Sequence, residues 1–456
     1  MTSTSRIHVD LTAIQHNVGV IRRIIGPGCG VCAMIKADAY GLGAVRVGKT
    51  LVSAGVDMLA VYTPDQAAAL ARAALDIPIL VMMPITELQR TDDLYRAFIC
   101  GRLHMTVHDL THLGIVQRLA ERYGAVVPVH LEIDTGMSRG GCRAADAGDI
   151  LERISTSRRL RLAGISTHFA AAESDEAMTA RQLRAFERVL EDDEPLIPAD
   201  CLVHLANSYA MLRHQRFHAS MVRVGLAWAG YGLEFLRGGE CIAEGESLVP
   251  CLRWTSTIIH TRDIPAGATV GYGGQWTAQR PTRLGLVPVG YADGYPLRAG
   301  VTDRRPRGAM VGVLLDDAFI GFVPVVGAVN MDQLTIDLTD IVDVPGSVGS
   351  RAGVGTTVEL ISPDRAAPND LAHIAAVAGT IPHELICRLH PRIERRAVID
   401  APSSPESGAD GQRPSADPRR RTGVDRGLHR DADPDSESAA PGPVAAAAAR
   451  AVSGAP

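Results

Sequence analysis

AMIKADAYGLG, residues 33–43, ends a short apolar run with a lysine and then gives way to small residues, a tyrosine and glycines. The run VCAMI (31–35) has the length and side chains of a buried strand. Lys36 therefore stands where a strand becomes a loop. Of the 46 basic residues in this 456-residue chain only two, Lys36 and Lys49, are lysines. Nearly every plain positive charge is arginine, a fixed cation, whereas a lysine amine can shed its proton and attack a carbonyl. Lys49, in VGKTL, reads as a charge on a solvated face; Lys36 has the context of a reactive amine.

Outward from this stretch the same unit repeats. Strand candidates are VCAMI (31–35), MLAVY (58–62), IPILVM (77–82), RLHMTV (102–107), VPVHLEID (127–134), LRLAGIS (160–166), DCLVHL (200–205) and MVRVGLA (221–227). Helical periodicity fills the gaps, most clearly at TAIQHNVGVIRRII (12–25) and MTARQLRAFERVLEDD (178–193). Eight βα units in roughly 240 residues predict a (β/α)8, TIM-like barrel over 1–240. A doubly wound sheet would carry G-x-G-x-x-G after its first strand, and none is present. From about residue 245 the texture changes to strands and turns (LRWTSTIIHTRDIPAGATVGYGG, RLGLVPVGYADGY, GVLLDDAFIGFVPVVGAV, TTVELIS), which predicts a mostly β domain over 241–400. The segment 401–456, rich in Pro, Ser, Ala and charge, is expected to be a disordered C-terminal tail.

Composition narrows the function. The hydrophobic fraction of 46% supports real cores, and the formal charge of −5 gives no basic footprint for nucleic acid. The eight cysteines are scattered; Cys29 and Cys32 form a lone C-x-x-C with no second pair, so free buried thiols are expected. MTSTSRIHVD lacks the apolar core of a signal peptide and no stretch is long enough to span a bilayer, which predicts a cytoplasmic protein that does not engage membranes.

In a barrel of this kind chemistry sits at the C-terminal rim. Lys36, Asp134 and Arg139 of EIDTGMSRGG, His168 of STHFA, Asn207 and Ser208 of HLANSYA, and Arg223 of MVRVGLA all fall there. A single strand-end histidine is more often structural; five strands delivering polar groups to one rim argue for a site. These motifs, followed by VGYGGQW, VGYADGY and VNMDQ in register from about residue 6 to 397, resemble the fold-type III alanine racemases that use pyridoxal phosphate.

The resemblance implies an isomerase that interconverts L- and D-alanine, supplying D-alanine for peptidoglycan, and a homodimer whose active sites are shared between one subunit's barrel and the other's β domain. Lys36 is expected to hold pyridoxal phosphate as a Schiff base and to act as a base on one face of the substrate, with Tyr272 of the other subunit on the opposite face. His168 and Arg223 are expected to lower the cost of the phenolate, and Arg223 to meet the pyridine nitrogen. A fixed cation there disfavours ring protonation and weakens the electron sink, which suits proton exchange over transamination. The phosphate is expected at Tyr40, Ser208, His383 and the backbone of Gly225 and Leu226, and the substrate at Arg139, Met331 and Tyr291.

Three positions depart from the family. Glu132 replaces a lysine that is often carbamylated, and keeps the negative charge. Ala328, in GAVNMD, replaces a common arginine. His383, in TIPHE, replaces a phosphate-binding tyrosine. Racemisation of serine or another amino acid, or a pyridoxal-phosphate-binding protein without turnover, are the alternative readings.

Overall fold

The computed structural model describes residues 4–232, 241, 247–341 and 352–399; the tail expected beyond 401 lies outside them. In chain order the strands are β1 (Arg6–Asp10), β2 (Gly30–Met34), β3 (Met58–Val61), β4 (Ile79–Val81), β5 (Leu103–Val107), β6 (Val127–Asp134), β7 (Cys142–Arg143), β8 (Leu160–Ser166), β9 (Leu202–His204) and β10 (Met221–Val224). They continue with β11 (Leu252–Thr257), β12 (His260–Ile264), β13 (Thr269–Val270), β14 (Trp276–Thr277), β15 (Thr282–Val287), β16 (Met310–Leu315), β17 (Ala318–Pro324), β18 (Leu334–Asp337), β19 (Thr357–Ile361) and β20 (Glu394–Val398).

All eight expected barrel strands form, in the order β10-β2-β3-β4-β5-β6-β8-β9, every pair parallel. Their near-continuous burial is what a parallel sheet covered on both faces requires. The seam between β9 and β10 is bridged by Ser220 N–H to Val203 O (3.1 Å) and Arg223 N–H to Ala206 O (2.9 Å), so the cylinder is nearly closed. The helices pack outside. Glu176–Asp192 buries Thr179, Gln182, Leu183, Phe186, Val189 and Leu190, a single stripe at helical spacing, and Asp175 caps it by accepting from Met178 N–H. Among the described residues no helix is long and apolar enough to cross a membrane.

The first strand does not join the barrel. β1 pairs antiparallel with β11 and parallel with β20, inside a six-stranded sheet of order β17-β16-β19-β11-β1-β20. Asp10 then accepts from Ala13 N–H and starts the first helix, Leu11–Ile25, which returns the chain to the barrel. β12, β15 and β18 make a second, antiparallel sheet, and β13 and β14 a hairpin. Among its described residues the region beyond 245 is thus mostly β, as its texture predicts, with the short helices Leu371–Ala378 and Pro382–Cys387, the second packed over the loop after β2.

Candidate active site

Lys36 follows β2 directly, and the next four residues turn the wrong way. Ala37, Asp38, Ala39 and Tyr40 all have φ between 52° and 56°, a left-handed turn of non-glycine residues, each of which costs roughly 1–2 kcal/mol. The turn is over-determined from several sides. Ala39 N–H donates to Ile35 O (2.9 Å), Ala44 N–H to the Asp38 carboxylate (2.7 Å), and Arg395 Nε to Gly41 O (3.0 Å). A Cβ on Gly41, itself at φ 79°, would lie 2.9 Å from Ile386 O, so only glycine lets the second short helix sit this close. Trp228 Nε1 donates to Met34 O (2.9 Å) and pins the strand end just before the lysine.

The result is one cavity of about 140 Å³ at the barrel's C-terminal mouth. Lys36, Tyr40, Arg139, His168, Ser208, Arg223, Gly225, Leu226 and His383 all line it, as does Asn207, whose side chain caps the helix starting at Ser208. Met34, Met82 and Tyr209 complete the lining; the two methionines stand at strand ends, where an apolar side chain carries no sequence signal that separates it from core, and Tyr209 lies in the helix that Ser208 begins.

The electrostatics are those of a site for an amine and an anion. Burial lowers the Lys36 amine from its ordinary value, and the Arg139 and Arg223 guanidinium groups lower it further against the opposing Cys387. Its Nζ has no hydrogen bond or ion pair among the described residues. At the other end of the cavity, Ser208 Oγ accepts from Gly225 N–H (3.0 Å) and Ala227 N–H (3.3 Å), which leaves the Ser208 hydroxyl proton to donate. The Tyr40 hydroxyl and the His383 ring hydrogen-bond no described protein group and face the same space. A Cβ on Gly225 would fall 2.1 Å from Tyr40 Oη, so this position is kept empty of a side chain.

Arg223 sits behind the cavity, buried. One terminal nitrogen donates to His204 O (2.6 Å) and His204 Nδ1 (2.8 Å), the other to Thr167 O (2.7 Å) and His168 Nδ1 (3.1 Å). Four of its five N–H donors are thereby used, and only Nε–H has no protein partner. Because His168 Nδ1 accepts, its proton is on Nε2; burial, with Arg223, Arg139 and Lys36, keeps the ring neutral. Gln182 locks the loop, donating to His168 O (3.0 Å) and accepting from Ala170 N–H (2.9 Å).

Burial alone would raise the Asp134 carboxyl, but N–H donors from Gly136, Ser138 and Met137 outweigh it and hold the group below its ordinary value, shaping the loop that carries Arg139. Glu132 is buried, its carboxylate 3.4 Å from His108 Nδ1.

Three expected site residues do not reach this cavity. Tyr272, Tyr291 and Met331 are 78%, 44% and 54% exposed on the β domain. They lie near one another: Tyr291 N–H donates to Asn330 O (3.0 Å), Ala292 N–H donates to Met331 O (3.0 Å), and Gly271, before Tyr272, lies against Ala328. The apolar and phenolic groups therefore form a surface cluster rather than part of the same chain's pocket.

The family model described as Alanine racemase, N-terminal domain, matches residues 9–232, and that of the C-terminal domain matches residues 251–397. The alanine racemase of Halothermothrix orenii is 32% identical over 400 residues, spanning 87% of this chain and 97% of the relative. The chain belongs to the alanine racemase family. The Synechocystis alanine racemase is 34% identical over 393 residues, 85% of this racemase and 97% of the relative. Among solved structures, the alanine racemase of Streptomyces coelicolor aligns with a TM-score of 0.74 at 30% identity, covering 87% of this chain and 98% of its own. That of Bartonella henselae, at 24% identity and a TM-score of 0.69 over 87% of this chain and 100% of its own, has the same fold and is described with covalently bound pyridoxal phosphate. Like its relatives, the racemase is an isomerase acting on alanine.

Proposed function

We propose that the racemase interconverts L- and D-alanine with pyridoxal phosphate on Lys36, between two acid–base groups: Lys36 itself and Tyr272 of the partner subunit. The observation that carries this reading is the Lys36 amine, unpaired and depressed in pKa, sharing one cavity with Arg139 and the single unspent N–H of Arg223. The residues present fit the cofactor. Ser208, Tyr40 and His383 offer donors for its phosphate, Arg223 Nε–H offers one for its ring nitrogen, and Gly225 leaves the room that the Tyr40 hydroxyl occupies. Bound there, pyridoxal phosphate supplies the electron sink that allows a Cα proton to leave.

The chain's own groups do the rest. Lys36, neutral, takes or returns the proton on one face. A phenol has an ordinary pKa of about 10, so Tyr272 needs donors to act as a base on the other face. His168 Nε2–H, with Arg223 behind it, provides one. Arg139 has no protein partner among the described residues and stands exposed at the mouth, where it meets the substrate carboxylate. The exposed cluster of Tyr272, Tyr291 and Met331 supports a homodimer in which each β domain completes the other subunit's cavity. The product, D-alanine, serves cell-wall peptidoglycan. The test is incubation with L-alanine and, separately, L-serine in deuterium oxide, following chirality and deuterium at Cα. Inversion with one solvent deuteron per turnover on alanine is expected; exchange without inversion overturns the reading.

A further inference from the structure

The barrel interior is divided. Cys32, Met34, Met58, Ala60, Leu80 and Met221, from β10 and β2–β4, make an apolar half. Opposite them, His104 of β5, His130 of β6 and His204 of β9 are 6%, 0% and 1% exposed. The three rings join end to end: His104 Nδ1 to His130 Nε2 (2.9 Å), His130 Nδ1 to His204 Nε2 (2.8 Å), and His204 Nδ1 to Arg223 (2.8 Å).

A guanidinium only donates, and this fixes every proton in the column. His204 Nδ1 accepts, so its proton is on Nε2 and goes to His130 Nδ1; His130 in turn carries Nε2–H and donates to His104 Nδ1. The reverse order would set a lone proton of His204 Nδ1 against an N–H of Arg223. All three rings thus turn an acceptor toward Arg223 and a donor away from it, and such a chain polarises cooperatively. It replaces a counter-ion: no carboxylate lies within ion-pair distance of Arg223 among the described residues, and Glu132 acts on it only through space. It is no proton conduit, because its cavity end is a group that takes no proton. Space for it comes from β8, where a Cβ on Gly164 would lie 2.3 Å from His130 Nδ1 and 3.0 Å from His204 Nε2.

We propose that His130 and His104 are positioning residues for this racemase: through His204 they hold Arg223 in place and set the strength of the one N–H it has left to give. The inference rests on the reading that this N–H faces the cofactor's ring nitrogen. Full-length protein is titrated with pyridoxal phosphate and with its 1-deaza analogue, in which C–H replaces the ring nitrogen. The wild type prefers the natural cofactor. His104→Leu shrinks that preference by about threefold or more, and His104→Asn, whose amide oxygen replaces Nδ1 as acceptor, keeps it. If His104→Leu weakens both ligands equally, the column only fills space and the proposal falls. If the wild type itself shows no preference, the placement of the ring nitrogen is wrong and the proposal falls with it, a failure distinguishable from the first without any variant. Independently of how the variants fold, ¹⁵N NMR of histidine-labelled wild-type protein without cofactor must find all three protons on Nε2; a proton on Nδ1 of any of the three overturns the column.

Discussion

The Lys36 amine, which we propose as the nucleophile, is depressed by burial and by the neighbouring arginines and is paired with nothing among the described residues. Replacing it by arginine keeps the charge and removes the nucleophile. Lys36→Arg is expected to lower racemisation by about a thousandfold or more and to abolish the borohydride-stabilised adduct seen by mass spectrometry of the cofactor-treated protein. Tyr272→Phe removes the group proposed for the second face. Cα-deuterium exchange is expected to fall by about a hundredfold or more for one enantiomer and far less for the other; an equal fall for both would sink the assignment. Lys36 was legible because lysine is so scarce here that its survival at a strand end demanded a reason. The histidine column was not. His104, His130 and His204 sit in three separate, mostly apolar strands, and only the β5-β6-β8-β9 register turns them toward one another.

At the level of strands and turns, glycines mark where two elements share one space. Gly225→Ala drives a methyl group into the Tyr40 hydroxyl and is expected to weaken pyridoxal phosphate binding by about tenfold or more in a fluorescence titration, with little effect on the unloaded fold. The histidine-bearing strands also write a pH dependence into stability. Burial holds His104 at about 4, below its ordinary 6.5, and keeps His130 and His204 well below it. The unfolded chain binds protons that the native rings refuse. Stability is therefore complete above pH 6.5 and is lost as pH falls toward 4, by about 2 kcal/mol at pH 5 from His104 alone. Urea unfolding of the cofactor-free protein measures this, and His104→Asn should flatten the dependence. The left-handed turn after Lys36 could not be read in advance. ADAY contains no glycine, and its backbone is dictated by Arg395 and the helix Pro382–Cys387, both over 340 residues away in the chain.

Over the whole molecule, the (β/α)8 pattern was legible because eight apolar runs recur with longer amphipathic stretches between them, and each became a strand. β1 shows where that logic stops. RIHVD alternates, with Ile7 and Val9 buried and their neighbours half-exposed, whereas the barrel strands are buried on both faces. That difference of period is written in the sequence and marks a strand from another sheet. The exposed Tyr272 calls for a test at the same scale. In a dimer with shared sites, mixing Lys36→Ala and Tyr272→Phe protomers places both lesions in one site and leaves the other intact. A statistical mixture is then expected to regain about a quarter of wild-type activity, while sites confined to one chain regain none.

The strand formed by Arg6–Asp10 has a temporal consequence. It leaves the ribosome well before its neighbours on either side, β11 and β20, are made, the second the later of the two. Until translation has passed Val398, this strand waits with an open edge, and a nascent chain stalled before that point exposes a ready template for pairing with its neighbours on a polysome. The six-stranded sheet is sealed only when β20 meets β1.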